Sequence, residues 1–266
     1  YAATGGAISA AADVAALGPV SGHEETRYEA RLNHSAVTRF LHSVRYKNLL
    51  GVVEALSGFR GGKPIRILDI GCGSARAFGL LDPRFAIDYV GVEMRQKLCA
   101  VARDRFGDRP NFRAVRNIIG NRLDLIDQVD LVIALETLEH IPADQVAVLI
   151  EHIGRAEIDG FYCTVPNEIG PAIAIKNLGS AMIGYRRHRE YSWKDTVHSS
   201  TYRLDKVAPH RTGHKGFDWR ALQRVIAAHL DIQAVHRSPY GWVPRAVSPS
   251  IGFYCTPRPR LNSPSG

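Results

Sequence analysis

Two clusters of residues have the types and spacing for chemistry. The first is Asp69-Ile70-Gly71-Cys72-Gly73-Ser74-Ala75. Glycines directly after a strand let the backbone approach a ligand closely, with a helix N-terminus beside it. Asp69 stands just before them, and a second acid, Glu93, follows Gly73 by twenty residues. An acid at that distance, at the end of a second strand, can accept hydrogen bonds from both hydroxyls of a ribose. A dinucleotide fingerprint would put a small residue at position 76, where this chain has Arg76. The pattern therefore asks for a ribose without a pyrophosphate seat. The second cluster is Glu136-Thr137-Leu138-Glu139-His140. On a helical turn these two carboxylates and the imidazole share a face. They could bind a hard or borderline ion such as Mg²⁺ or Mn²⁺, with His214 as a fourth ligand. Without a metal, His140 is the candidate general base, because imidazole titrates near working pH. His210 ranks below it.

These residues need elements to hold them. Apolar positions recur at helical spacing from Ser35 to Leu56, ahead of breakers at Gly58, Gly61, Gly62 and Pro64. Ile65–Ile70 reads as a buried strand. A short helix over 75–82, a strand at Tyr89–Val92 and a helix over 95–106 follow. Strands at Phe112–Val115 and Asp130–Leu135, a helix over 143–155 and a strand at Gly160–Val165 complete the alternation. Strands spaced by helix-length segments imply βαβ units and a mostly parallel sheet. After Pro166 the rhythm lapses until Phe217. A helix over 218–229 and two strands, Ile232–His236 and Ile251–Cys255, close the pattern.

The lapse makes residues 167–216 an inserted lid or substrate-binding segment. It carries nine Lys/Arg and four Asp/Glu, so +5 of the chain's net +8 lies there. Within it, Arg186 and Arg187 are candidates for a phosphate or carboxylate on the substrate. Trp193, with Tyr185 and Tyr191, could wall an aromatic or lipid acceptor. Pro171–Ile183 reads as a lid helix. Residues 1–34 are expected to form a mobile or partly helical extension, 35–256 the catalytic domain, and 257–266 a flexible tail.

Composition narrows the class. The chain has 266 residues, 45% hydrophobic and 23% charged, which excludes disorder as the main state and fibrous architectures. The modest basic excess permits an acidic partner without demanding one. Cys72, Cys99, Cys163 and Cys255 form no C-x-x-C pair, so neither a zinc ribbon nor a disulfide framework is expected. No apolar run is long enough for a membrane span. The alanine-rich start has no basic n-region and makes a poor signal peptide. A cytoplasmic location is expected.

In these motifs the chain resembles the class I S-adenosylmethionine-dependent methyltransferases. Their acid followed by G-x-G-x-G matches Asp69, Gly71 and Gly73, with Ala75 at the third glycine. Glu93 matches the family's ribose-binding acid. Leu135-Glu136-Thr137-Leu138-Glu139-His140-Ile141-Pro142 resembles the stretch after the fourth strand, and Val165-Pro166-Asn167 the end of the fifth. The resemblance covers about residues 35–256. It implies an α/β, Rossmann-like fold: a seven-stranded, mostly parallel sheet with an antiparallel last hairpin and helices on both faces. It implies S-adenosylmethionine as cofactor, held by Asp69, Gly71, Cys72, Gly73, Glu93, Met94, Asn117, Ile118, Leu135 and Glu136. Of these, Met94 would line the adenine and Asn117 would meet its amino group. The expected reaction is O-methylation of a small metabolite, a glycan or a lipid head group.

The E-x-x-E-H stretch is also similar to two metal-assisted subgroups, the small-RNA 2′-O-methyltransferases and the ubiquinone-pathway O-methyltransferases. Metal-assisted RNA 2′-O-methylation is therefore an alternative, with RNA as the partner. The match near His214 is loose, since Gly216 intervenes and Asp218 stands for glutamate. A non-catalytic cofactor-binding protein is a further alternative.

Overall fold

The computed structural model describes residues 36–182, 192–207 and 215–259. Its elements run α1 (Ala36–Phe59), β1 (Ile65–Ile70), α2 (Arg76–Leu81), β2 (Ile87–Glu93), α3 (Gln96–Phe106) and β3 (Phe112–Arg116). Then come β4 (Leu131–Leu135), α4 (Ala143–Arg155), β5 (Gly160–Pro166), α5 (Pro171–Met182), α6 (Trp193–Ser200), α7 (Trp219–His229), β6 (Leu230–Arg237) and β7 (Ser250–Pro257).

The strands form one seven-stranded sheet in the order β3-β2-β1-β4-β5-β7-β6. β1 to β5 are mutually parallel; β7 is antiparallel to both β5 and β6. The order reverses between β1 and β4, so chain leaving those two strands diverges at their carboxyl ends and opens a crevice there.

The apolar runs of the strands are explained by burial on two faces. In β1, Leu68 and Ile70 enter a core with Val146, Leu149 and Ile150 of α4 and Leu222 and Ile226 of α7. Ile65 and Ile67 point the other way, to Leu49, Val53 and Leu56 of α1 and Phe78 of α2. Each such side chain taken from water contributes roughly 1.5–3 kcal/mol. All four cysteines are free and buried, as core residues. No helix among the described residues is long and apolar enough to cross a membrane.

Two stretches differ from the sequence reading. The expected lid helix at Pro171–Ile183 is present as α5, led into by buried Asn167 and Glu168, but 167–216 holds α6 as well, which the sequence reading did not place. Lys176 on α5 reaches back to Glu168 at 3.0 Å. α6 starts at a capping box in which Ser192 and Asp195 exchange hydrogen bonds. The expected tail also starts too early. Pro257 lies in β7, and Arg258 donates to the carbonyls of Ala227 and Ala228, the free C=O groups closing α7.

Candidate functional site

The crevice at the carboxyl ends of β1 and β4 is lined by backbone in an unusual conformation. Gly71 and Gly73 have φ of 74° and 57°, and Ala75 holds the same left-handed region at 58°. Glycine adopts this region freely; for alanine it costs about 1–2 kcal/mol. The third position of the motif thus keeps the glycine backbone without the glycine. At Gly71 a Cβ would lie 2.5 Å from the Thr137 side chain, so the loop is closed from above by the β4 turn. At Gly73 a Cβ would meet nothing within 4 Å, so the loop is open there.

Two acids are buried against this loop. Glu93, 3% exposed, accepts from the Gly73 N–H at 3.0 Å and the Arg95 N–H at 2.8 Å. Asp69, also 3% exposed, accepts from the Tyr89 hydroxyl. Burial pushes its carboxyl up to about 7; the phenol bond opposes that rise and the charge of Glu93 adds to it. Cys72 is buried beside them, and its thiol is raised by the same burial. Room for it comes from Gly91, where a Cβ would sit 2.5 Å from the Cys72 sulfur. Sequence reading missed both Tyr89 and Gly91, although a glycine inside a strand is itself a sign of close approach.

The rim is apolar. Met94 and Ile118 are 67% and 52% exposed just past β2 and β3. Asn117 ties the two strand ends, its N–H donating to the Glu93 carbonyl at 3.2 Å. Its Oδ1 accepts from the Ile118 N–H at 2.8 Å. Leu135 is half-buried and packs on the α1-side core.

These residues fit an adenosyl group. A buried carboxylate stands at the second strand's end for a hydroxyl pair, open backbone adjoins it, and two exposed apolar side chains could cover a base.

The second cluster is not arranged as its spacing suggested. Glu136 has φ 53°, which breaks the backbone before any helical face can form. A 3₁₀ turn covers only Leu138–His140. The Glu136 N–H donates to the Thr164 carbonyl at 2.8 Å. Its carboxylate accepts from Ser250 Oγ at 2.7 Å. Ser250 had no signal in the sequence, since the register of β7 on β5 alone brings it there. The Glu139 side chain is fully buried, with its carboxylate 3.9 Å from His140 Nε2. The expected Mg²⁺ or Mn²⁺ site of Glu136, Glu139 and His140 is thereby corrected. Among the described residues, no group of three or more His, Cys, Asp or Glu is placed to hold a metal ion. His214, the fourth ligand, lies outside the described residues, as do His210, Arg186 and Arg187. Trp193 begins α6 and is 80% exposed.

The strand order and the glycine–acid crevice define a class I S-adenosylmethionine-dependent methyltransferase fold. Residues 67–157 match a family model described as a methyltransferase domain. No curated protein matches the sequence significantly. Among solved structures, one similar in fold is magnesium protoporphyrin IX methyltransferase from Synechocystis, solved with S-adenosylhomocysteine bound. It is 12% identical, with a TM-score of 0.53, over 84% of this chain and 88% of that one. A bacterial CtHen1 methyltransferase domain is 13% identical, TM-score 0.53, over 81% and 99%. The CurJ carbon methyltransferase is 11% identical, TM-score 0.56, over 86% and 57%. At such identities the likeness is one of fold.

Proposed function

We propose that this chain transfers the methyl group of S-adenosylmethionine to an oxygen of a small metabolite, a glycan or a lipid head group, with His140 as base. The observation that carries the reading is the His140 ring, half exposed beyond β4 with the buried Glu139 carboxylate 3.9 Å behind it. At that range the two groups are not hydrogen-bonded to each other. Imidazolium is the form His140 takes on when an acceptor hydroxyl gives up its proton.

When bound, the cofactor supplies an electrophilic methyl on a sulfonium. The chain's part is binding and orientation. Glu93 accepts from the ribose hydroxyls through lone pairs not used by Gly73 and Arg95. Met94 and Ile118 cover the adenine, with Asn117 at its edge. Gly71 and Gly73 leave room for the methionyl part, with the Cys72 side chain turned into the core; Asp69, held by Tyr89, precedes them. Leu135 and Glu136 close the crevice from β4. The segment 167–216 contributes to the choice of acceptor. The metal-assisted RNA alternative is not carried forward, because Glu136, Glu139 and His140 do not converge.

The test is His140→Ala, assayed with labelled S-adenosylmethionine on a fractionated cell extract, with and without chelator. Turnover should fall about 10²–10⁴-fold. Affinity for S-adenosylhomocysteine should stay within about twofold, and label should enter a small-molecule, glycan or lipid fraction despite the chelator. Undiminished turnover would remove His140 as the base.

A further inference from the structure

Residues 238–249 join β6 to β7. Ser250 pairs with Pro166, the last residue of β5, so this loop stands at the carboxyl edge of the parallel strands, the edge that holds Gly71, Glu93 and Glu136. Four hydrogen bonds pin it. Buried Asn167 donates through Nδ2 to the carbonyls of Arg245 at 2.9 Å and Ser248 at 3.0 Å. The Asn167 N–H donates to the Pro249 carbonyl at 3.0 Å, and the Ala172 N–H to the Ala246 carbonyl at 2.9 Å.

Ahead of this pinned part, where the Val243 N–H donates to the Tyr240 carbonyl at 3.0 Å, the rings of Tyr240 and Trp242 are stacked, with planes 5° apart and centroids 5.8 Å apart. Trp242 is nonetheless 78% exposed. A large aromatic held in place yet left in water is a pre-organised contact, since a ligand arriving there does not have to order it. Along the loop the charges have one sign: Arg237 and exposed Arg245 flank the stack in sequence, and no acid occurs from Arg237 to Ser250.

We propose that the Tyr240–Trp242 stack and Arg245 seat the acceptor, and that the acceptor is a small planar aromatic molecule bearing a negative charge. The open indole face takes the ring, and the guanidinium takes the carboxylate, phosphate or sulfate. The proposal rests on the methyltransferase reading, with the acceptor entering at the carboxyl edge. One stacked pair offers one open face, which suits a single ring system; a nucleic-acid strand needs a row of them. Proline, glycine and arginine surround the stack, so it lacks the continuous apolar face that lies in a membrane surface. The loop leads into Ser250, whose hydroxyl donates to Glu136 at the β4 end of the crevice.

The test is isothermal titration of the full chain with three probes, with and without S-adenosylhomocysteine. The probes are 2-naphthoate, 2-naphthylmethanol and cyclohexanecarboxylate. Naphthoate should bind at least about tenfold more tightly than either of the others, as one stacked ring and one ion pair require. Trp242→Ala should weaken naphthoate at least about tenfold and leave thermal stability and S-adenosylhomocysteine affinity unchanged. Arg245→Met should erase the preference for naphthoate over the alcohol. Equal binding of naphthoate and cyclohexanecarboxylate, or no effect of Trp242→Ala, would overturn the proposal. So would absent naphthoate binding together with Trp242-dependent binding of oligouridylate or of phosphatidylglycerol vesicles. Absence of S-adenosylhomocysteine binding by the parent would strike the methyltransferase reading instead, leaving the probe result to stand by itself.

Discussion

Gly71→Ala and Gly73→Ala are the same change two residues apart, and the geometry separates their effects. Both glycines are left-handed, at φ 74° and 57°, so each alanine bears about 1–2 kcal/mol of backbone strain. A smaller unfolded-chain entropy returns about 0.4–1 kcal/mol. Gly73→Ala stops there, because its Cβ faces open space, and should destabilise by about 1 kcal/mol. Gly71→Ala also drives its Cβ to 2.5 Å from Cγ2 and Oγ1 of Thr137. Overpacking of that kind adds about 1–3 kcal/mol, for a total of about 2–4 kcal/mol. Thermal unfolding should therefore fall by about 2–4 °C for Gly73→Ala and about 4–16 °C for Gly71→Ala. Adding Thr137→Ala to Gly71→Ala should recover much of the loss. It removes both 2.5 Å contacts and leaves only the one to Thr137 Cβ at 3.1 Å. Calorimetry with S-adenosylhomocysteine supplies the second readout: Gly73→Ala, the more stable variant, should still bind poorly, because its methyl enters the open side of the loop. Equal stability losses, no recovery by Thr137→Ala, or parental ligand affinity in Gly73→Ala would refute the reasoning.

Two further changes test the same crevice. The folded Asp69 carboxyl, at about 7, holds its proton more tightly than an unfolded one at 3.8. Stability from this group is therefore present at low pH and lost as pH rises from about 4 to about 7. Urea unfolding at pH 5 and pH 8 should show Asp69→Asn gaining on the parent at the higher pH; a constant gap would dismiss the buried, protonating acid. Ala75→Gly relieves about 1–2 kcal/mol of left-handed strain. It loses about 0.8 kcal/mol for a buried methyl and about 0.5–1 kcal/mol of chain entropy. The net effect on chemical denaturation should lie within about 1 kcal/mol, and a loss well above that would mean the alanine methyl contributes more to its core cluster than one buried methyl group accounts for.

What the sequence made legible was local. Strand β1, the glycine turn and Glu93 could be placed because periodicity and spacing act over a few residues. The limits of α4 were read correctly for the same reason. Glu136-x-x-Glu139-His140 misled because the i, i+3, i+4 rule assumes an unbroken helical backbone. The left-handed Glu136 ends that assumption at its first residue. Ser250 against Glu136 and Asn167 against Arg245 and Ser248 span 114, 78 and 81 residues. Such contacts follow from strand register, which no local pattern encodes. The capping box at Ser192 and Asp195 was readable, and could have placed α6 after the expected lid helix within 167–216.

The two ends of the sheet show where this molecule keeps its unbalanced charge. At the amino end, Asp130 accepts from Arg66 N, Nε and Nη2, with Arg60 Nη1 at 3.2 Å. Burial works against that carboxylate, yet the arginine bonds hold it below the ordinary range. At the carboxyl end, Asp69 is as deeply buried, and for it the balance is reversed. Asp69 has a phenol for its partner instead of a guanidinium, and its neighbour is another acid. The same edge collects left-handed backbone at Gly71, Gly73, Ala75 and Glu136. Strain of this kind persists only where the surrounding fold enforces it, and it sets this edge apart from the amino one.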